Sequence, residues 1–396
     1  MKISELLLIN VIFIISIACN NQNTENECNH KTFEEFSPII IDSLKIKISN
    51  TTSDQNISSQ IKVINGTQYL FRFNDYQSNT NPASIEIYDL NHQKFIKRVD
   101  LTLDGPNSYE GVINFYVHNF DSIFLHNEAN PLTFYLTDTS ANNINRWYAK
   151  DRFKAAGWMT SAQPFYDPKE KQIWYYNISP RYFYPDDKEF FEIPYLSYFK
   201  LSDKTIGSVG DLKYPDQYVT EFKNRNWFPW FQKPAYDYID NKIYISFPLS
   251  PQINIIENNS ISQICIGTDL LDLPESVPID INDFPSNQQF YMQSGRYFGI
   301  VKDNFRNILI RLVKFSQEKR NLDGLLNKHY NAQFALIIYR DNKPLDIIRL
   351  PKDTYNPHLI IPSRKGLLIS TDNPFNENND ENFLNFNLIS LDKFSK

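Results

Sequence analysis

The chain is 396 residues long and carries 40 Lys or Arg against 46 Asp or Glu, a formal net charge of −6 at pH 7. That balance offers no basic footprint, so nucleic acid is not an expected partner. Aromatic residues reach 15%, with 24 Tyr and 30 Phe, a composition that suits strands and argues against a helical fold.

At the N-terminus, Lys2 precedes an apolar run, Leu6 to Ala18, broken only by Asn10 and Ser16. A helix of that length rises about 20 Å, short of a bilayer core of about 30 Å. The run therefore reads as a secretory signal and not as a membrane span. It ends in Ser16-Ile17-Ala18-Cys19, which resembles the cleavage boundary of bacterial lipoproteins. The resemblance implies cutting before Cys19 and acylation of its sulfur and its new amino terminus, an anchor to the membrane. Ser16 stands where that family prefers leucine, and Glu5 dilutes the positive end; an ordinary cleaved signal is the alternative. Asn20 follows the cysteine, which by the same resemblance implies the outer membrane, on either face.

Residues 1–18 are thus read as the signal and residues 19–36 as a flexible tether. The stretch "NNQNTENECNHKTFEE" holds Phe33 as its one strongly apolar side chain, too little to offset the entropy of ordering it. Beyond Cys19 only Cys28 and Cys265 remain. Cys265, in "ISQICIG", reads as a small buried hydrophobe. A disulfide between the two is the less favoured alternative.

From residue 37 onward strand-like runs recur. Three segments align without gaps, "IEIYDLNHQKFIKRVDL", "YLSYFKLSDKTIGSVGDL" and "LIIYRDNKPLDIIRL", with Tyr88, Tyr198 and Tyr339 in register. Ile96, Ile206 and Ile347 follow at one common offset, and Val99, Val209 and Leu350 at another. Polar pairs such as Asn91-His92 lie between, as in antiparallel hairpins. A second motif pairs Ile123 with Pro131 and Ile243 with Pro251. Anchors at Tyr88, Leu136, Tyr198, Ile256, Tyr339 and Leu388 make six units of about four strands each. They predict an all-β fold over residues 37–396, a six-bladed β-propeller of four-stranded antiparallel blades whose closure protects its edges. Two packed β-domains without a ring are the alternative.

The widest gap, before Tyr339, holds "NLDGLLNKHY", where Leu322, Leu325, Leu326 and Tyr330 have helical spacing. It predicts a short helical insertion near residues 316–332, inside a blade. The last unit runs out before its outer strand, and "SPIIIDSLKIKISN" (residues 37–50) is expected to supply it. Glycine is scarce at 11, so turns marked by glycine in every repeat are not expected.

The stretch "YDLNHQKFIKRVDLTLDGPNSYEGVINFYVHNFDSIFLH" resembles the first blade boundary of a Bacteroidota lipoprotein family, the domain of unknown function 4221 family. Its most distinctive part is Asp104-Gly105-Pro106-Asn107, followed by "FYVHNFDSIF". The lipoprotein boundary, the length and a terminal "LISLD" strand fit as well, so the resemblance spans nearly the whole chain. It implies a six-bladed propeller-like fold and an envelope location, and it implies no reaction.

The usual catalytic signatures, HExxH, GxSxG, a phosphate loop or an EF-hand loop, do not occur. His118 and His126 are the closest useful histidine pair, without an evident third ligand, and "NENNDEN" (residues 376–382) reads as a solvated loop. No metal or cofactor is expected. Asp121 and Asp240 occupy matching repeat positions, which points to a structural task because catalytic carboxylates need dissimilar surroundings.

In a propeller, the loops from one blade's outer strand to the next blade's inner strand gather on one face. Two of these loops carry three of the five tryptophans. "KDRFKAAGWMTSAQP" holds Arg152 and Trp158, and "EFKNRNWFPWFQKP" holds Arg225, Trp227 and Trp230. Asn107 and Tyr109 stand in a third such loop. Aromatic faces beside amide and guanidinium groups suit sugars or peptides, so these seven residues are the candidate ligand contacts; capping of the ring is the plain alternative. Two readings of different classes stay open, beside the blander one of a structural envelope protein that binds nothing small. One is a lipid-anchored binding or scaffold protein that engages a glycan, peptide or envelope partner. The other is a polysaccharide-active hydrolase or lyase with an acid pair in the loops, drawn from Asp151, Asp211 or Asp216.

Overall fold

The computed structural model describes residues 34–49, 58–74, 82–105, 107–109, 111–127, 132–149, 164–176, 191, 194–209, 212–231, 233–258, 260–265, 271–321, 323–341 and 343–394. The signal, Cys19, Cys28, Arg152, Trp158, Asp151 and Asp211 lie outside them.

Six small antiparallel sheets follow one another along the chain. Blade one is Ser58–Ile64, Thr67–Asn74, Ala83–Asp89 and Lys94–Leu101. Blade two is Val112–Asn119, Ser122–Asn127, Leu132–Thr137 and Asn143–Ala149, and blade three is Phe165–Asp167, Gln172–Tyr176, Leu196–Lys200 and Ile206–Ser208. Blade four is Ala235–Ile239, Lys242–Ser246, Gln252–Glu257 and Ser260–Cys265. Blade five is Arg296–Asp303, Ile308–Lys314, Phe334–Arg340 and Lys343–Leu350. Blade six is Asn356–Ser363, Gly366–Ser370 and Phe383–Ile389, completed by Ile40–Lys47 from the far end of the chain. The first strands of blades one, two and three touch in turn, as do those of blades four, five and six. The fold is a six-bladed β-propeller, closed as the sequence predicts, with residues 40–47 as the missing outer strand.

Each sequence anchor falls on the third strand of its blade. The reason is burial. Neighbouring blades cover both faces of the middle strands, so Ala83–Asp89, Gln172–Tyr176 and Ile308–Lys314 are buried along their whole length. Outer strands such as Lys94–Leu101 alternate instead. The apolar cores are accordingly the layers between blades, and bulky rings fill them. Phe124 stacks on Tyr166 at 4.4 Å between blades two and three, and Phe165 on Tyr238 at 4.8 Å between blades three and four.

Polar side chains fasten the same seams. Gln60 of blade one donates to Phe115 O and accepts from Val117 N of blade two, at 2.6 and 2.9 Å. Arg306 of blade five pairs with Asp303 at 2.8 Å and donates to the Ser363 and Arg364 carbonyls of blade six, each at 3.0 Å. Arg311, fully buried, donates to Ser246 Oγ, Ser250 O and Pro251 O of blade four at 3.0, 2.6 and 3.0 Å and stacks on Tyr297. Turns rarely need glycine because Asn65, Lys171, Asp240, Asn258, Asn307 and Asp341 take the left-handed conformation instead.

Three expectations change. The tether does not run free to residue 36: Glu35–Phe36 lies parallel to Ile347–Ile348 on the outer edge of blade five. Arg349 holds the Glu35 carboxylate at 2.7 and 2.8 Å, and Lys393 sits over the Phe36 ring. The insertion of residues 316–332 lies inside blade five, but its helical content is a single 3₁₀ turn, His329–Asn331. Leu325 and Leu326 are exposed there, and Leu322 lies outside the described residues. Cys265 is half-buried and disulfide-bonded, not a free core thiol. It is the only cysteine among the described residues.

Candidate functional site

Strands that alternate in direction send the outer-to-first and second-to-third connections to one face, the loop face, and the hairpin turns to the other. On the loop face two long connections clasp each other. The connection from blade three to blade four carries helix α1 (Asp216–Lys223) and the strand Asn226–Trp227. The connection from blade four to blade five carries Val277–Pro278 and helix α2 (Phe284–Gln293). Trp227 pairs with Val277 and Asn226 with Pro278. Tyr218 of α1 is buried beneath the clasp; its hydroxyl donates to Phe231 O at 3.1 Å and accepts from Leu249 N at 3.2 Å. Asp283 caps α2 by accepting from Ser286 N at 3.2 Å, with proline in the first turn.

Trp227 and Trp230 are both half-buried, so neither is fully packed under the ring. Trp227 keeps its Nε1–H buried without an acceptor. Trp230 meets Phe284 edge-on at 5.1 Å. Trp230 and Arg225 adopt positive φ, +69° and +65°, an outlying conformation for bulky residues that surrounding structure must hold and that collects at binding sites. Arg225 is exposed and its carbonyl accepts from Ile279 N at 3.2 Å.

Beside the clasp lies a set of basic groups that the sequence reading missed. Phe231, next to Trp230, packs edge-on against Tyr291 of α2 at 5.2 Å, and the Arg296 guanidinium lies 3.7 Å from the Tyr291 ring. Arg296 opens the first strand of blade five and is almost wholly buried. It donates to Tyr291 O at 2.6 Å and to His329 Nδ1 at 3.0 Å. His329 Nε2 lies 2.8 Å from Nε2 of His358, on the first strand of blade six. Lys314 ends the second strand of blade five and donates to Ser294 O at 3.0 Å.

Burial pushes Lys314 down to about 6, with Arg296 adding to the shift. His358 is exposed, yet desolvation by the protein around its ring, with Arg296 and Lys233 nearby, lowers it to about 4. His329 is lowered by burial, by His358 and by its basic neighbours. Four distant residues (Arg296, Lys314, His329, His358) converge here without a motif. Their one sequence signal is a basic residue at the end of an apolar strand, as in "ILIRLVK".

Near the turn face the axis carries opposite charges. Lys62 of blade one and Asp237 of blade four stand on opposite sides of the ring, and each charge favours the ionised form of the other. Burial lowers Lys62 to about 8 and raises Asp237 to about 6. Lys62 Nζ sits 4.1 Å from the Tyr116 ring, and Asp237 accepts from Lys302 N at 3.3 Å.

The other sequence candidates scatter. Asn107 is exposed in its loop. Tyr109 is a core residue, its hydroxyl donating to Thr137 Oγ1 at 2.8 Å and its ring packed on Tyr135, so it supports the loop from below. Asp216 is exposed in the first turn of α1. His118 lies toward the turn face against Tyr166, whereas His126 is buried beside Phe134, so the two do not form a pair. Asp121 and Asp240 sit in hairpin turns between first and second strands; in the first of these, Asn119 Oδ1 is the group that accepts Asp121 N. In "NENNDEN", Asn376 and Asp380 accept backbone amides of their own loop.

A crystal structure of a member of the domain of unknown function 4221 family from Bacteroides vulgatus matches this one with a TM-score of 0.74 at 17% identity, covering 89% of this chain and 98% of that one. The two chains share one fold. The resemblance read from residues 88–126 agrees with it. The periplasmic gluconolactonase of Pseudomonas aeruginosa is far more distant, with a TM-score of 0.40 at 10% identity over 80% of this chain and 78% of that one. A luciferin-regenerating enzyme stands at 0.41 and 11%, over 88% and 94%. No protein-family model matches the sequence, and no curated protein does.

Proposed function

We propose that the protein is a lipid-anchored binding module of the bacterial envelope, held at the outer membrane through Cys19, whose loop face captures a glycan or peptide. One observation carries the reading. Trp227 and Trp230 are half-open aromatic faces on a clasp that two separate connections must pair to build, and open aromatic rings beside polar groups are what sugars and peptides stack against. Anchoring rests on the resemblance of Ser16-Ile17-Ala18-Cys19 to a lipoprotein boundary.

The test is a thermal-shift panel of glycans and peptides on the full chain. A ligand specific to the folded state raises stability by about 2.7 kcal/mol at a hundred times its dissociation constant. A hit that Trp227→Ala and Trp230→Ala abolish supports the loop face, whereas hits indifferent to both refute it. Cys19→Ser tests the anchor separately: it should move the protein from the membrane fraction to the soluble one.

A further inference from the structure

The basic groups beside the clasp form a directed relay. An arginine side chain only donates, so His329 Nδ1 accepts from Arg296 and the His329 proton sits on Nε2. That proton faces His358 Nε2, which places the His358 proton on Nδ1. His358 is exposed, so its Nδ1–H is the open end of a chain that begins at a buried cation.

No carboxylate of the described residues pairs with Arg296, Lys314, His329 or His358. Arg296 keeps its Nε buried without an acceptor. In a chain of net charge −6, a buried guanidinium with no counter-charge among the described residues is costly. An anion arriving at the exposed end of the relay would offset part of that cost. The position favours one source: Trp230, which suits a sugar face, shares the loop face with His358 and is next in sequence to Phe231, whose ring lies 5.9 Å from the Arg296 guanidinium.

We propose that the His358 Nδ1–H, backed by His329 and Arg296, receives the carboxylate of an acidic sugar that enters at the loop face. The inference rests on the loop face being the ligand-binding face. Relay and carboxylate meet as a charge-assisted hydrogen bond, with no bond made or broken.

Calorimetry on the full chain tests it with three probes: an oligogalacturonate, a neutral oligosaccharide of the same length, and inorganic phosphate. Nitrogen-15 spectra of the histidines give a second readout. The acidic oligomer is expected to bind at least tenfold more tightly than the neutral one and to move the His358 Nδ1 resonance. His358→Leu, a change at an exposed ring, should erase that preference, and Trp230→Ala should weaken both sugars alike. Equal binding of both sugars, unmoved by His358→Leu, overturns the carboxylate seat and leaves the loop face intact. Phosphate binding that depends on His358 but not on Trp230 keeps the anion seat and overturns the sugar as its source. If none of the three binds and the His358 resonance stays put, the seat itself is refuted.

Discussion

Ile46 lies directly across the ladder from Leu384, so one of the first described strands and the last are partners in a single blade. Ile46 is fully buried and packs with Leu44, Leu70, Tyr88 and Phe386 in the layer that joins blade six to blade one. Ring closure therefore depends on a segment near the start of the chain. Ile46→Ala should cost about 2–5 kcal/mol, the usual range for a buried large-to-small change. In urea the midpoint should fall while one cooperative transition remains. A local loss that leaves the midpoint unchanged would show that the ring holds without this strand.

Arg311 should be irreplaceable by lysine. Its guanidinium reaches a hydroxyl and two carbonyls of blade four while lying flat on Tyr297, a geometry that needs a planar fork of donors. Arg311→Met leaves those acceptors unmet and should destabilise by about 3–5 kcal/mol. Arg311→Lys is expected to recover less than half of that loss, measured by chemical denaturation. Full recovery would mean that charge alone matters at this seam.

Lys314 ties stability to pH. Its folded pKa is depressed to about 6 from the ordinary 10.5, so between those values the unfolded chain holds a proton that the folded protein has released. Stability then rises with pH across that window and is flat, for this group, below it. Between pH 7 and 8, His126, His329 and His358 are neutral in the folded state, as their lowered pKa values require. Comparing urea midpoints of the native chain and Lys314→Met over that interval isolates the group: the native protein should gain stability with pH more steeply. Parallel slopes would show that Lys314 stays charged when folded.

Cys265 is disulfide-bonded, and the sequence offers only Cys19 and Cys28 as partners. If Cys19 carries the acyl chains, Cys28 is left. Mass mapping of unreduced peptides should link the Cys265 peptide to the Cys28 peptide and give no free thiol in the mature protein. A free Cys28, or a Cys265–Cys19 link, would count against the lipid anchor.

The ring was legible because burial on both faces of the middle strands leaves a strong repeat at Tyr88, Tyr198 and Tyr339. The insertion misled for an equally local reason. Leu325 and Leu326 have helical spacing, but Asn321 Oδ1 accepts the Asp323 and Leu325 amides and Gly324 sits at φ +78°, which turns the chain where a helix would continue. The clasp tryptophans could be named from composition because open indoles stand out in a polar loop. The basic relay could not, since Arg296, His329 and His358 become neighbours only when two blades and an insertion are folded together.

The partnership of Ile40–Lys47 with Phe383–Ile389 also has a mechanical meaning. Ile40 sits at the turn-face end of blade six and Lys47 at the loop-face end. Force applied through the residues that precede Glu34 would first meet the Glu35–Arg349 contact, and then the strand along its own axis. A pull in that direction loads the rungs of the ladder in shear, all together, instead of peeling them one at a time. A ring held from that edge would keep its loop face pointed away from the applied force and would resist being unzipped.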